Sequence, residues 1–104
     1  MQRGEVWWAN LPASTGKRPV LVLSRDRAIQ VREFVTVSQV TTVIRQLPVE
    51  VNLGRKEGMP KECVINCDVI NTIPKVLLVE KICLLGSEKM RAVESAIKFA
   101  FDIS

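Results

Sequence analysis

Apolar and polar positions alternate along most of the chain, and only the last stretch changes to helical spacing. Gly4 to Asn10 opens as a strand carrying Trp7 and Trp8 side by side. Neighbouring strand residues face opposite sides, so one of the two enters the core and the other lies on the outer face. That outer tryptophan packs under a loop, stacks on a base or buries in a dimer interface. Val20 to Leu23 is a short, unbroken, β-branched run and reads as a central strand. Phe34 to Thr41 and Leu47 to Leu53 alternate and predict two more. Cys63 to Asp68 is a fifth, closed by Asp68, and Leu77 to Leu85 holds at least one further short strand.

Between these runs lie the expected breaks. Leu11 to Gly16 is a turn-rich connection, Arg25 to Arg32 a helical turn or loop, and Gly54 to Lys61 an exposed loop. Asn71 to Lys75 resembles a corner. Ser87 offers a hydroxyl cap, with Glu88 in the first turn where the helix dipole favours an acid. Met90, Val93, Ile97, Ala100 and Phe101 then recur on one face, predicting a packing helix from about residue 88 to 101. Five or six short strands and a terminal helix predict a mainly β fold: a small, strongly curved antiparallel sheet of SH3-like barrel type, with residues 1–104 as one domain.

Composition narrows the chemistry. A formal net charge of +4 leans toward polyanionic partners without reaching the basicity of a nucleic-acid coat, and an acidic protein partner fits equally. No apolar run approaches membrane-spanning length and no leader pattern precedes Arg3-Gly4-Glu5, so the expected location is the cytoplasm. The chain has no histidine, which excludes histidine-based nucleases and Ser-His-Asp hydrolases. Cys63, Cys67 and Cys83 lack C-x-x-C spacing. On one strand Cys63 and Cys67 would stand about 13 Å apart, too far for a disulfide, and without histidine a zinc site lacks ligands. Buried reduced thiols are expected, with no metal and no cofactor.

Gly16-Lys17-Arg18-Pro19 joins a basic loop to the Val20 strand. Pro19 biases Arg18 toward extended geometry, and an arginine at the mouth of a rigid strand suits a phosphate because its planar fork matches the oxyanion. The same residues also suit a basic strand end that keeps a hydrophobic strand soluble.

Five stretches in order resemble one family. They are Arg3-Gly4-Glu5-Val6-Trp7, Lys17-Arg18-Pro19-Val20-Leu21-Val22-Leu23, Val40-Thr41-Thr42, Cys67-Asp68-Val69-Ile70-Asn71-Thr72-Ile73 and Leu85-Gly86-Ser87-Glu88-Lys89-Met90. Each is weak alone; the ordered set spans almost the whole chain and resembles the MazF/PemK toxins. The resemblance implies a dimeric CcdB/MazF-like barrel that cuts single-stranded RNA and is neutralised by a cognate antitoxin. It also implies cleavage without a metal, by attack of the 2′-hydroxyl, leaving a cyclic phosphate and a 5′-hydroxyl end. Carried over residue by residue, catalysis falls to Arg18 and Thr41, with Asp68 as a candidate base. In-line attack builds negative charge on the phosphorane, which a guanidinium and a hydroxyl donor can stabilise. Lys17, Thr42, Arg45, Asn66 and Asn71 are the expected RNA contacts, with a solvated basic rim as the alternative for Arg45.

Several positions depart from the family pattern. The loop before Arg18 is short, Gln39 replaces a proline, and Val69 and Asn71 replace a glutamine and an arginine that help bind RNA. Asn66 sits where some members are basic. A cleavage sequence does not transfer across these changes. Two alternatives follow: a non-enzymatic, CcdB-like toxin that binds a protein, and an inactive module that binds RNA or antitoxin.

Overall fold

The computed structural model of the chain describes residues 1–12 and 16–104; Ala13 to Thr15, the centre of the expected turn-rich connection, lie outside them. Its elements are β1 (Glu5–Ala9), β2 (Arg18–Val22), α1 (Asp26–Val31), β3 (Phe34–Thr41), β4 (Glu50–Leu53), β5 (Cys63–Pro74), β6 (Leu78–Leu84) and α2 (Ser87–Ala100). The strands form one antiparallel sheet in the order β4-β5-β3-β2-β1-β6, curled into a half-barrel. No described helix is long and apolar enough to cross a membrane.

The sheet is buried on both faces, which explains why its central strands read as apolar runs. On one face Val6, Leu21, Val40 and Ile65 pack with Met90, Val93 and Ala96 of α2. On the other, Val20, Val22, Val35 and Val37 pack with Ile29 of α1 and Leu78. Val20, Leu21 and Val22 are each at most 1% exposed, as a strand paired on both sides requires. Neither tryptophan is fully buried: Trp7 packs against the α1-side cluster and donates its indole N–H to Glu5 Oε1 at 2.9 Å. Glu5 is itself buried and paired with Lys81 Nζ at 3.1 Å.

Five expectations need correction. The corner at Asn71 to Lys75 is strand: β5 runs on to Pro74, paired with β3 as far as Phe34, and the chain turns at Lys75–Leu77 instead. Thr72 and Thr36 stand opposite each other with their hydroxyls 2.8 Å apart, so cross-strand pairing overrides local turn preference. β4 begins at Glu50 and not Leu47, because the Glu50 carboxylate accepts the N–H groups of Arg45 and Gln46 at 2.9 and 2.8 Å and folds that segment into a turn. The loop after Gly54 is only partly exposed: Met59 is 3% exposed, behind a short 3₁₀ turn and Gly58 at φ 97°. Ser87 is the first residue of α2, whose cap is Gly86, and Phe101 stands outside the apolar face at 58% exposed.

Candidate functional site

Pro19 shapes the site. It lacks an N–H, and the β2–β3 ladder runs only over Val20–Val22, one residue past it. From there β3 keeps its pairing with β5, through Val40–Ile65 and Thr41–Val64. Beyond the last β2–β3 pair, Val20–Gln39, the strands part and a cleft of about 220 Å³ opens. Continuing the antiparallel register by two and three residues sets Arg18 opposite Thr41 and Lys17 opposite Thr42. All four line the cleft.

Trp8 and Pro19, which stand opposite each other on β1 and β2, add an apolar wall. Met59, Pro60, Lys61 and Cys63, brought round by the curl of the sheet, close the other side. Lys17, Arg18 and Lys61 make the cleft cationic, with no carboxylate among its described lining residues. Lys17 Nζ lies 3.5 Å from Glu80 on the neighbouring β6. Thr41 Oγ1 accepts the N–H of Val43 at 3.1 Å, which fixes the hydroxyl while leaving its own proton to donate. Burial pushes the Cys63 thiol up, and the charges of Glu62, Cys83 and Glu57 push it the same way, so it is a neutral wall and no nucleophile.

The other expected site residues lie elsewhere. Between Ser38 and Gln39 of β3 the register on β5 jumps from Ile70 to Asn66, so Cys67, Asp68 and Val69 form a bulge. The buried Ser38 hydroxyl donates to the carbonyl of Asn66 at 2.8 Å and approaches that of Val69 at 3.4 Å, closing the bulge at both ends. Asp68 stands exposed on the bulge, its N–H bonded to Asn66 Oδ1 at 3.0 Å. Asn71 lines a neighbouring depression with Gln39 and Val37. Arg45 is exposed on the turn held by Glu50. None of Asp68, Asn66, Asn71 and Arg45 lines the cleft. The sequence pattern leaves Trp7 and Trp8 as equal candidates for an outward face and gives Lys61 as loop; no local signal places Lys61 beside Arg18.

The chain is a half-barrel whose cationic cleft is lined by an arginine and a threonine. Residues 2–101 match the family model of PemK-like, MazF-like toxins of type II toxin-antitoxin systems, and the chain belongs to that family. It is 39% identical over 103 residues to a probable endoribonuclease, MazF5, of Mycobacterium tuberculosis, covering 98% of this chain and 94% of that protein. Among solved structures, the Mycobacterium tuberculosis toxin MazF-mt6 superposes with a TM-score of 0.88 at 33% identity, over 96% of this chain and 98% of that one. A mycobacterial endoribonuclease in complex with its cognate antitoxin shares the fold, with a TM-score of 0.88 at 23% identity over 100% and 97% of the two chains.

Proposed function

We propose that the protein is the toxin of a type II toxin-antitoxin pair and acts as an endoribonuclease on single-stranded RNA in the cytoplasm. The observation that carries this is the convergence of Arg18 and Thr41 on one cationic cleft at the parted ends of β2 and β3. The scissile phosphate sits there. The neighbouring 2′-oxygen attacks phosphorus, the bond from phosphorus to the 5′-oxygen breaks as that oxygen takes a proton from solvent, and a 2′,3′-cyclic phosphate and a 5′-hydroxyl result. Arg18 binds the phosphate oxygens bidentately and holds the charge that builds on them. Arginine stays protonated at ordinary pH, so its work is electrostatic first. Thr41 donates its free proton to the same oxygens. Lys17, Thr42 and Lys61 hold the flanking backbone, while Asn66, Asn71 and Arg45 contact RNA beyond the cleft.

The cleft's described lining holds no carboxylate, so the 2′-hydroxyl proton passes to solvent or to Asp68 on the neighbouring bulge; Asp68→Asn separates these by its effect on kcat. The reaction uses no metal. An antitoxin with an acidic, apolar-anchored segment covers the basic cleft, ordering as it binds. Apolar side chains left at the surface, such as Val76 at 84% and Phe99 at 61% exposed, support assembly as a homodimer.

The test is cleavage of a long single-stranded RNA in excess EDTA by the wild type, Arg18→Ala and Thr41→Ala, with end chemistry read on the products. The wild type is expected to cut and leave 5′-hydroxyl ends, and each variant to lose about 100-fold or more, the scale of one oxyanion donor. No cutting by folded wild type on varied RNAs would move the reading to a toxin that only binds. Equal cutting by all three would misplace the site.

A further inference from the structure

Beyond the cleft, two more depressions lie along β3 toward its start, on opposite faces of the sheet, the first beside Val37 and Ile73 and the second beside Leu23 and Thr36. The first, about 370 Å³, holds Gln39, Asn71 and Thr72. It shares Thr72 with the second, about 320 Å³, whose walls include Arg25, Arg32, Phe34, Ser24 and Thr36. We propose that this second depression is a distal anchor for the RNA chain, holding a backbone phosphate between Arg25 and Arg32 and stacking a base on Phe34. The inference rests on the reading of the ligand as single-stranded RNA.

The chemistry is assembled from both ends of α1. Arg25 precedes the helix and Arg32 follows it. Both side chains line the one depression from the two ends of the helix. Both are exposed, and among the described residues neither guanidinium has an ion-pair or hydrogen-bond partner. No carboxylate lines the depression among the described residues. Asp26, the nearest acid in sequence to Arg25, is engaged by the N–H of Arg3 at 2.7 Å. Ser24 Oγ accepts the N–H of Thr36 at 2.8 Å, which leaves its own proton for a ligand oxygen. Phe34 is 53% exposed, an aromatic face open beside two unpaired cations. Guanidinium pairs with an adjacent aromatic are what a sequence-tolerant single-strand groove uses, the cations tracking phosphates and the ring a base.

Phe34 is seven residues from Thr41 along β3, about 24 Å at ~3.4 Å per residue, and the odd spacing sets the two side chains on opposite faces of the strand, so the path between them is longer still. A substrate must therefore carry several nucleotides beyond the scissile phosphate to reach both places, and length dependence is the signature. The probes are two fully 2′-O-methylated single-stranded RNAs, which cannot be cut, one of about five nucleotides and one of about 15, within the usual range of single-strand site sizes. The wild type should bind the long probe more tightly. Arg25→Gln/Arg32→Gln should remove that advantage and lower the slope of log affinity against log salt by about 0.7, one phosphate's worth for a single strand. Phe34→Ala should weaken the long probe about tenfold, the scale of one base–aromatic stack, at unchanged salt slope. Binding of the short probe should not change in either variant.

Equal losses on both probes, or none on the long one, would overturn the proposal. So would variants that alter only oligomeric state in light scattering, or only affinity for an acidic inhibitor, which would assign the surface to a protein partner. Since binding is measured without cleavage, a wild type that shows the length effect yet cuts no RNA would sink the ribonuclease reading and leave the anchor standing.

Discussion

Ser38→Ala tests whether the bulge of β5 is held as the hydrogen bonds say. The side chain is 0% exposed and its hydroxyl donates to the Asn66 carbonyl at 2.8 Å, with Val69 at 3.4 Å as a weaker second acceptor. Alanine removes the donor and takes its hydrogen bond from the part-buried Asn66 carbonyl. An unsatisfied buried group costs about 1–3 kcal/mol, and the lost hydroxyl leaves too little space for a water to repair it. Taking about 2 kcal/mol and a urea m-value of about 2 kcal/mol/M, the midpoint should fall by about 1 M with m unchanged. The bulge should loosen locally as well, raising hydrogen exchange at Cys67, whose N–H is bonded to Val49 at 2.9 Å. Ser38→Cys, which keeps a weak donor, should lose less. A Ser38→Ala midpoint within about 0.2 M of wild type, on the same m-value scale, would refute the claim that this hydroxyl pins the bulge.

Three further outcomes follow from the packing. Burial pushes the Glu5 carboxyl up, but hydrogen bonds from Trp7, the Gln2 N–H and Lys81, with the charge of Lys81, bring it below its ordinary 4.5. A lowered folded-state value adds stability that is present above the unfolded value and lost as pH falls through the folded one. Urea midpoints should therefore drop below about pH 4.5 in the wild type, and Glu5→Gln should remove Glu5's part of that slope; identical pH profiles would refute it. Val93→Ala empties a fully buried position on α2 and should cost about 2 kcal/mol, lowering Tm by roughly 8 °C or more, while Phe101→Ala on the exposed helix end should stay within about 0.5 kcal/mol. Burial pushes all three thiols up, so in folded protein at pH 8 they should react slowly with a thiol reagent and quickly once unfolded. Fast labelling of Cys67 in the native state would contradict its burial.

The fold was legible where hydrophobic pattern and sheet position agree. Phe34 to Thr41 is strand with the expected bounds, because its alternation matches pairing on both sides. It was illegible where a distant partner decides. Asn71-Thr72-Ile73-Pro74 carries the residues of a turn, yet β3 draws it straight; Pro74 can end the strand because the next N–H, that of Lys75, turns to the Glu33 carbonyl at 2.8 Å. The start of β4 departs from the apolar pattern for a related reason. Alternation continues back through Leu47, but the Glu50 carboxylate captures the preceding N–H groups, and Gln46 adopts a left-handed φ of 57°. A polar side chain that organises its own backbone leaves no trace in apolar periodicity.

The cleft divides the same way. Arg18 and Thr41 come from the family resemblance, and their nearness follows from the β2–β3 register: Val20 faces Gln39, and Arg18 and Thr41 lie two residues further on their parting strands. What no local pattern carries is the opposite wall. Met59, Pro60 and Lys61 come from a stretch that reads as loop, and they reach Arg18 only because the sheet curls far enough to bring the start of β5 round to Trp8 on β1. Curl is set by twist and by bulges, and the bulge at Asp68 is one of them. The residue expected as a base in the chemistry thus sits on the device that bends the sheet around the chemistry. Replacing it without changing the backbone, as Asp68→Asn does, separates those two roles: a loss of kcat at unchanged stability belongs to the carboxylate, and a loss of both belongs to the bend.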